Sequence, residues 1–181
     1  DVPITVSLVE YPIFPIILNT NKRKACVEAI MLQLMTYYSS SDLKLVFLVS
    51  EKNSEIWNQF KYLSHCLDEQ GKTRLFAYNE EEAKAISYYL ESKYQERLNF
   101  IKHIPSNSDI DKVDNKKDFY QMFPNYYLII TDNILKYRNL EIIEKIFKSN
   151  SNYGFSVLIF ENAMRNLPSK CNYFSNISDN E

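Results

Sequence analysis

The chain has 181 residues, and 45% of them are hydrophobic, which suits a single domain with a sizeable core. Its formal net charge of −2 gives no basic surface of the kind that accompanies nucleic-acid binding, so no nucleic-acid partner is expected. No apolar run reaches the roughly 20 residues that a membrane span requires. The start at Asp1 rather than at Met indicates a fragment of a longer protein, in which residues 1–181 are predicted to form one domain.

The first half of the chain alternates between short apolar runs and segments with helical spacing. Phe14–Leu18 is continuously apolar, as a strand covered on both faces would be. In chain order, the predicted elements are a lead-in strand at Ile4–Val9, a strand at Phe14–Leu18, a polar loop at Asn19–Arg23, a helix with Val27, Ile30, Met31, Leu34 and Tyr38 on one face, a strand at Leu43–Val49, a helix at Ser54–Cys66 and a short strand at Thr73–Tyr78.

The second half continues this alternation, and Asn79 with Glu82 three residues later is an N-capping signature. The predicted elements are a long helix with Ile86, Leu90, Tyr94, Leu98 and Ile101 on one face, a polar loop at Pro105–Lys117, a strand at Tyr126–Ile130, a helix marked by Leu140, Ile143, Ile146 and Phe147, a strand at Phe155–Phe160 and a final short strand within Leu167–Ile177. Strands alternating with helices predict an α/β fold, with a mostly parallel sheet and helices on both faces, as in P-loop ATPases.

The first strand–loop–helix unit is where such a fold would bind a phosphate, at the N-terminus of the helix. A working phosphate loop reads G-x-x-x-x-G-K-[ST], and its glycines, lysine and hydroxyl hold the phosphates and magnesium. Here Asn19 and Lys24 stand at the glycine positions, Ala25 at the lysine and Cys26 at the hydroxyl. Several charge-assisted hydrogen bonds of roughly 1.5–3 kcal/mol each are lost, which lowers affinity by three or more decades. We therefore expect no nucleotide and no other cofactor.

Shifting the frame by one residue restores only the lysine, as Lys24. The chain has two glycines, Gly71 and Gly154, so no other loop can supply a glycine-rich cradle. Lys22 and Arg23 beside Lys24 could still attract an anion, but a solvated charged turn is the simpler prediction.

The second part of an ATPase site is an apolar strand that ends in two carboxylates, one for magnesium and one to activate water. The segment Leu128–Asn133 has this shape, with Asp132 at the first position and Asn133 at the second. An amide cannot accept a proton from water as a general base, and Asp132 by itself is predicted to be a turn or helix-cap residue. The sequence therefore predicts no catalytic residue.

The cysteines and histidines offer no alternative chemistry. Cys26, Cys66 and Cys171 lie too far apart for a zinc knuckle or a redox pair, and they are predicted to be small buried residues in a reducing compartment. His65 precedes Cys66 directly, and neighbours on a helix point in different directions, so a packed or capping histidine is expected. No metal site is predicted.

A series of short blocks, taken in order and spacing, resembles a known family. The blocks are Val2–Val6, Phe14–Leu18, Tyr37–Ser40, Asp42–Leu48, Trp57, Leu63–His65, Arg74–Ala77, Ile129–Asp132, Gly154–Val157 and Leu167–Cys171. Together they resemble the degenerate first ATPase-like domain of EssC-type proteins, the FtsK/SpoIIIE-family membrane ATPases of type VII secretion in Gram-positive bacteria. The resemblance extends over essentially the whole chain.

This resemblance implies a domain on the cytoplasmic side of the bacterial membrane, just after transmembrane helices and ahead of tandem ATPase modules. Its implied partners are those neighbouring ATPase domains, the other subunits of a hexamer and other secretion components, with membrane contact only through the parent protein. The implied role is non-catalytic assembly or regulation of the motor. Two alternatives stay open, namely a nucleotide-sensing module that uses Lys22, Arg23 and Lys24, and a docking module for secreted proteins.

Overall fold

A six-stranded parallel sheet forms the centre of the molecule. The computed structural model describes residues 6–103, 119–168, 171 and 174–177. The strands are β1 (Ile13–Leu18), β2 (Leu43–Leu48), β3 (Phe76–Ala77), β4 (Tyr126–Thr131), β5 (Phe155–Glu161) and β6 (Ser175–Ile177). Their order is β3-β2-β4-β5-β1-β6, and every neighbouring pair is parallel. The predicted α/β class with its mostly parallel sheet is confirmed.

Among the described residues, five α-helices cover the two faces of this sheet, and helices on both faces were predicted. They are α1 (Thr20–Tyr37), α2 (Ser54–Trp57), α3 (Glu80–Lys102), α4 (Ile134–Tyr137) and α5 (Glu141–Lys148). Helices α1 and α2 pack on one face and α3, α4 and α5 on the other, which gives two apolar layers. Along β4, for example, Leu128 and Ile130 enter the first layer while Tyr127 and Ile129 enter the second. This alternation explains why the central strands read as continuous apolar runs in the sequence.

The predicted cap of the long helix is confirmed. The side chain of Asn79 accepts a hydrogen bond from the backbone N–H of Glu82 (2.8 Å), and the Glu82 carboxylate accepts one from the N–H of Tyr78 (3.1 Å). The pair satisfies donors at the start of α3 that have no partner inside the helix.

Two predicted elements differ from the structure near the start of the chain and after β2. The lead-in strand at Ile4–Val9 is wrong for its described part, because residues 8–10 form a turn. The carbonyls of Leu8 and Val9 accept hydrogen bonds from the side chains of Ser156 and Asn152 instead of pairing in a ladder.

The continuous helix predicted at Ser54–Cys66 is also wrong. Helix α2 ends at Trp57, and single 3₁₀ turns follow at Asn58–Phe60 and Ser64–Cys66. The side chains of Cys66 and Arg74 donate to the carbonyls of Phe60 and Lys61, which a continuous helix would have used for its own hydrogen bonds.

The remaining differences are small. Within the predicted strand Thr73–Tyr78, only Phe76 and Ala77 pair with β2, and the short helix α4 was not predicted. The predicted loop at Pro105–Lys117 lies outside the described residues, and the final short strand is present as β6. No helix in the described part of the chain is long and apolar enough to cross a membrane.

Candidate functional site

The candidate site lies at the C-terminal edge of the sheet, where all the parallel strands end. Ligands of open α/β sheets bind at this edge. Four strand ends contribute to it: β1 continues into Asn19, β2 into Ser50, β4 into Asp132 and β5 into Asn162. The first predicted phosphate-loop position, Asn19, and the first carboxylate position, Asp132, therefore lie at the same edge of the sheet.

The predicted polar loop at Asn19–Arg23 does not exist, because α1 begins at Thr20 and a single residue, Asn19, separates it from β1. Asn19 is the N-cap of α1, and its side chain accepts a hydrogen bond from the backbone N–H of Lys22 (3.2 Å). A phosphate loop needs several residues of open backbone whose N–H groups point at the ligand. In this chain those residues form helical turns, and an intrachain side chain already caps the helix.

The other positions aligned with the phosphate loop lie in the second turn of α1. Lys24 and Ala25 are exposed, while Cys26 is half-buried and its burial raises the pKa of its thiol. Among the described residues, none of these three side chains forms a hydrogen bond with a residue at the C-terminal edge of the sheet.

Asp132 is the best-connected side chain at this edge, and its side chain is fully buried. Oδ1 accepts a hydrogen bond from the backbone N–H of Ser50 (2.7 Å). Oδ2 accepts one from Nδ2 of Asn53 (2.5 Å) and another from Nε1 of Trp57 (3.0 Å). The prediction that Asp132 is a simple turn or helix-cap residue is therefore wrong, since the carboxylate ties β4 to the segment after β2.

Arg23 completes this arrangement from the first turn of α1. It is 4% exposed, its Nη1 lies 4.0 Å from Oδ2 of Asp132, and its Nη2 donates to Oδ1 of Asn162 (2.5 Å). We call Asp132, Arg23, Asn53, Trp57 and Asn162 the Asp132 network. The predicted solvated charged turn is therefore wrong for Arg23, which points inward on the same side of α1 as the buried Val27.

Two buried polar atoms beside this network have no hydrogen-bond partner among the described residues, namely Nε of Arg23 and Oγ of Ser50. Each is a group whose desolvation is not fully compensated.

Asn133, the position of the second ATPase carboxylate, serves a different purpose. Its side chain accepts a hydrogen bond from the N–H of Lys136 (3.2 Å) and so caps α4. The short helix was missed because the signal is a single Asn before four residues, which is too brief for a periodic apolar pattern.

Chemically, the network leaves Asp132 poorly suited to hold magnesium. Both carboxylate oxygens already accept hydrogen bonds, and a buried arginine supplies the positive charge that a metal ion would otherwise bring. A cation at Asp132 would have to displace these donors and lie close to the guanidinium.

His65 and Cys66 do not form a reactive pair. Nε2 of His65 lies 3.0 Å from the carbonyl oxygen of Tyr38, while Sγ of Cys66 donates to the carbonyl of Phe60 (3.2 Å). Burial raises the pKa of the Cys66 thiol to about 12, which suppresses the nucleophilic thiolate. Among the described residues, no three His, Cys, Asp or Glu side chains are grouped so that they could hold a metal ion.

A groove lies on the opposite, N-terminal edge of the sheet. It has a volume of about 490 Å³ and is lined mainly by apolar side chains, including Leu8, Leu34, Tyr38, Phe123 and Tyr126. This groove was not predicted, because its walls come from segments far apart in the chain.

The fold is similar to that of two solved structures. Over 88% of its length the chain superposes on Thermomonospora curvata EccC (ATPases 2 and 3), solved in complex with a signal sequence peptide, with a TM-score of 0.63 and 11% identity, and it covers 26% of that chain. It superposes over the same share on the cytoplasmic domain of the Thermomonospora curvata type VII secretion ATPase EccC, with a TM-score of 0.55, 10% identity and 17% coverage of that chain. The predicted P-loop ATPase-like fold is confirmed.

In sequence, the chain is similar to the type VII secretion system protein EssC of Staphylococcus aureus, for example of strains NCTC 8325 and COL. It is 25% identical to each over 142 residues, which is 78% of this chain and 9% of the relative. The predicted resemblance to EssC-type secretion ATPases is confirmed. The chain spans about a tenth of the length of these relatives. No protein-family model matches the chain.

Proposed function

We propose that this chain is a non-catalytic, ATPase-like assembly domain of a type VII secretion ATPase. The observation that carries the proposal is the Asp132 network, since this chain's own side chains fill the edge at which a P-loop ATPase would hold magnesium and phosphate. The similarity to EssC and the fold shared with EccC support the choice of system.

The network joins the segments that surround a nucleotide in a working site. Arg23 comes from α1, Asn53 and Trp57 from the segment after β2, and Asn162 from the end of β5, and all converge on the end of β4. In a working ATPase, bound nucleotide bridges such segments, and its hydrolysis loosens them. Here hydrogen bonds and an ion pair between the chain's own side chains join these segments in place of a nucleotide, so the domain keeps one conformation whatever the nucleotide concentration.

A fixed conformation suits a role in holding neighbouring modules in place. The proposed partners are tandem ATPase domains of the same polypeptide, further subunits of a hexamer and other secretion components, on the cytoplasmic side of the membrane. Any membrane contact would be made by the parent protein.

The test is a comparison in the parent protein between wild type, a precise deletion of residues 1–181 and the variant Asp132→Asn. Oligomeric size of the detergent-extracted protein and secretion of substrate by cells are measured together. We expect the deletion to abolish assembly and secretion while the ATPase activity of the isolated downstream modules persists. A deletion variant that assembles and secretes normally would contradict the proposal.

The groove favours a second candidate, a docking module for secreted proteins. An apolar groove of this volume suits a few side chains of a peptide, with Tyr38 and Tyr126 at its wall. Fluorescence titration with labelled substrate peptides checks it, with Tyr126→Ala as the altered groove and Tyr88→Ala as the surface control. Binding that Tyr126→Ala does not weaken would exclude the groove.

A further inference from the structure

Helix α1 carries an uncharged, solvent-facing side that has no covering element in the described structure. Its inner side packs on the sheet through residues such as Val27 and Met31, which are fully buried. Directly opposite, Ala25, Ala29, Leu32 and Thr36 are exposed, and Leu32 is 64% exposed. We call these four residues the outer stripe of α1. They follow one another at intervals of four, three and four residues, which places them on one line along the helix.

The charge distribution makes this side unusual within the molecule. Between Ala25 and Tyr38 the only charged residue is Glu28, whose carboxylate accepts a hydrogen bond from Gln59 at the flank of the helix. Helix α3, on the other face of the sheet, begins with three consecutive exposed glutamates and also exposes Lys84 and Glu96. A surface helix ordinarily has a charged outer face, and one that is apolar all round is normally covered. The outer side of α1 therefore lacks the exposed charges that α3 carries, although α3 also exposes Tyr88 and Phe100.

Aromatic side chains are also exposed at the C-terminal end of α1 and on the segment beside it, where the Arg74 guanidinium lies over the ring of Tyr62. Tyr37 is 77% exposed, and Tyr62 is 79% exposed on the segment that runs beside the helix. That segment is fixed to α1 by the Gln59–Glu28 hydrogen bond (3.1 Å) and by the contact of His65 with the Tyr38 carbonyl (3.0 Å). Tyrosine is enriched at protein interfaces because it offers a large apolar ring with a polar end.

The area of the outer stripe indicates what kind of partner covers it. From Ala25 to Thr36 the helix rises about 17 Å, and with a helix width of about 10 Å the stripe covers on the order of 200 Å². A stable complex between two free proteins buries about 800 Å² on each partner. A second free copy of the chain is therefore a poor occupant, whereas a domain joined to this one by the same polypeptide gains from its high effective concentration.

We propose that the outer stripe of α1 is the docking surface for an apolar helix face of a neighbouring domain in the same polypeptide. This inference rests on the proposed function, in which the chain is one part of a longer secretion ATPase, and it assigns the surface through which that part contacts the next. The two alanines let the partner helix approach closely, and Leu32 packs between its side chains.

The test is hydroxyl-radical footprinting of the full-length parent protein and of the 181-residue chain, read by mass spectrometry at Leu32 and at Tyr88. Tyr88 is the matched control, since it is 77% exposed on α3. We expect oxidation of Leu32 to be lost in the parent protein and that of Tyr88 to be unchanged. Equal oxidation of Leu32 in both proteins would overturn the proposal.

Two variants keep the test independent of folding. Leu32→Glu and Tyr88→Glu should leave the melting temperature of the 181-residue chain unchanged, because both side chains are exposed. In the parent protein, Leu32→Glu should restore rapid hydrogen exchange to α1, and Tyr88→Glu should not. If Leu32 in the isolated chain becomes protected as concentration rises, and the mass doubles by ultracentrifugation, a second copy is the occupant and the proposal is wrong.

The deletion experiment separates this inference from the proposed function. Normal assembly without residues 1–181 would overturn the proposed function, whereas failed assembly on deletion with an unprotected Leu32 would overturn only the assignment of the surface.

Discussion

Replacing Asp132 by asparagine removes one charge at nearly constant shape and should destabilise the domain strongly. The asparagine side chain keeps one acceptor oxygen, but its NH₂ group must face donors that now bond to Asp132. Arg23 then loses the opposite charge beside it while 4% exposed. Breaking a buried ion pair by removing one partner costs about 3–5 kcal/mol, because the other charge stays buried without compensation.

This free energy is measurable by urea unfolding and by calorimetry. For a domain of this size it corresponds to a decrease in melting temperature of roughly 6–20 °C. Asp42→Asn is the matched control, since among the described residues the exposed Asp42 carboxylate accepts hydrogen bonds only from Ser39 (2.6 Å from its Oγ), and its replacement should cost about 1 kcal/mol.

A double-mutant cycle isolates the interaction between the two charges. The variant Arg23→Met with Asp132→Asn should be destabilised by less than the sum of the single variants, with a difference of at least about 0.5 kcal/mol. If Asp132 instead served to bind magnesium, Asp132→Asn should leave the free energy of unfolding unchanged or raise it, because replacing a functional residue is often neutral or stabilising. A cost of Asp132→Asn no larger than that of Asp42→Asn would therefore refute the structural role.

Two further predictions concern the opposite edge of the sheet. Gly154 has φ +85°, and a Cβ added there would collide with the buried Arg97 guanidinium, whereas Gly71 has φ +69° and open space around it. Urea unfolding should therefore show that Gly154→Ala loses clearly more stability than Gly71→Ala, for which a loss of about 1–3 kcal/mol is expected. Equal losses for the two variants would contradict the predicted collision with Arg97. Burial is the largest single influence and raises the pKa of Glu69, but hydrogen bonds from Lys93, Tyr127 and Asn125 and the charge of Lys93 together outweigh it and hold the pKa below its usual value of 4.5. The ionised carboxylate therefore stabilises the fold above about pH 4.5, and this stabilisation is lost as the pH falls through the lowered pKa. Urea unfolding between pH 6 and pH 3 should show that stability declines less steeply with falling pH in Glu69→Gln than in the wild type. Parallel curves for the two proteins would contradict the lowered pKa of Glu69.

The sheet was predictable because its strands are buried on both faces. Short continuous apolar runs such as Phe14–Leu18 and Leu43–Val49 are typical of strands that are covered on both faces. Their alternation with helices indicates a parallel arrangement of the strands. The break in the helix predicted after β2 was not predictable, since it depends on Cys66 and Arg74 side chains reaching carbonyls of that segment.

The position of the site was predictable from the sequence, but the contacts among its residues were not. The unsuitable residues at Asn19, Lys24, Ala25 and Cys26 indicated that the phosphate loop had changed, yet the pattern gave no sign that α1 would begin at Thr20. The pairing of Arg23 with Asp132 joins residues 109 positions apart, and a single sequence carries no signal for such a contact.

The most direct measurement is an isothermal titration of the purified chain with Mg-ATP and with Mg-ADP at near-physiological salt. We predict no binding up to about 1 mM, equivalent to an affinity weaker than about −4 kcal/mol, for the wild type and for Lys24→Ala alike. Saturable, magnesium-dependent micromolar binding that Lys24→Ala abolishes would contradict the account and make the domain a nucleotide sensor.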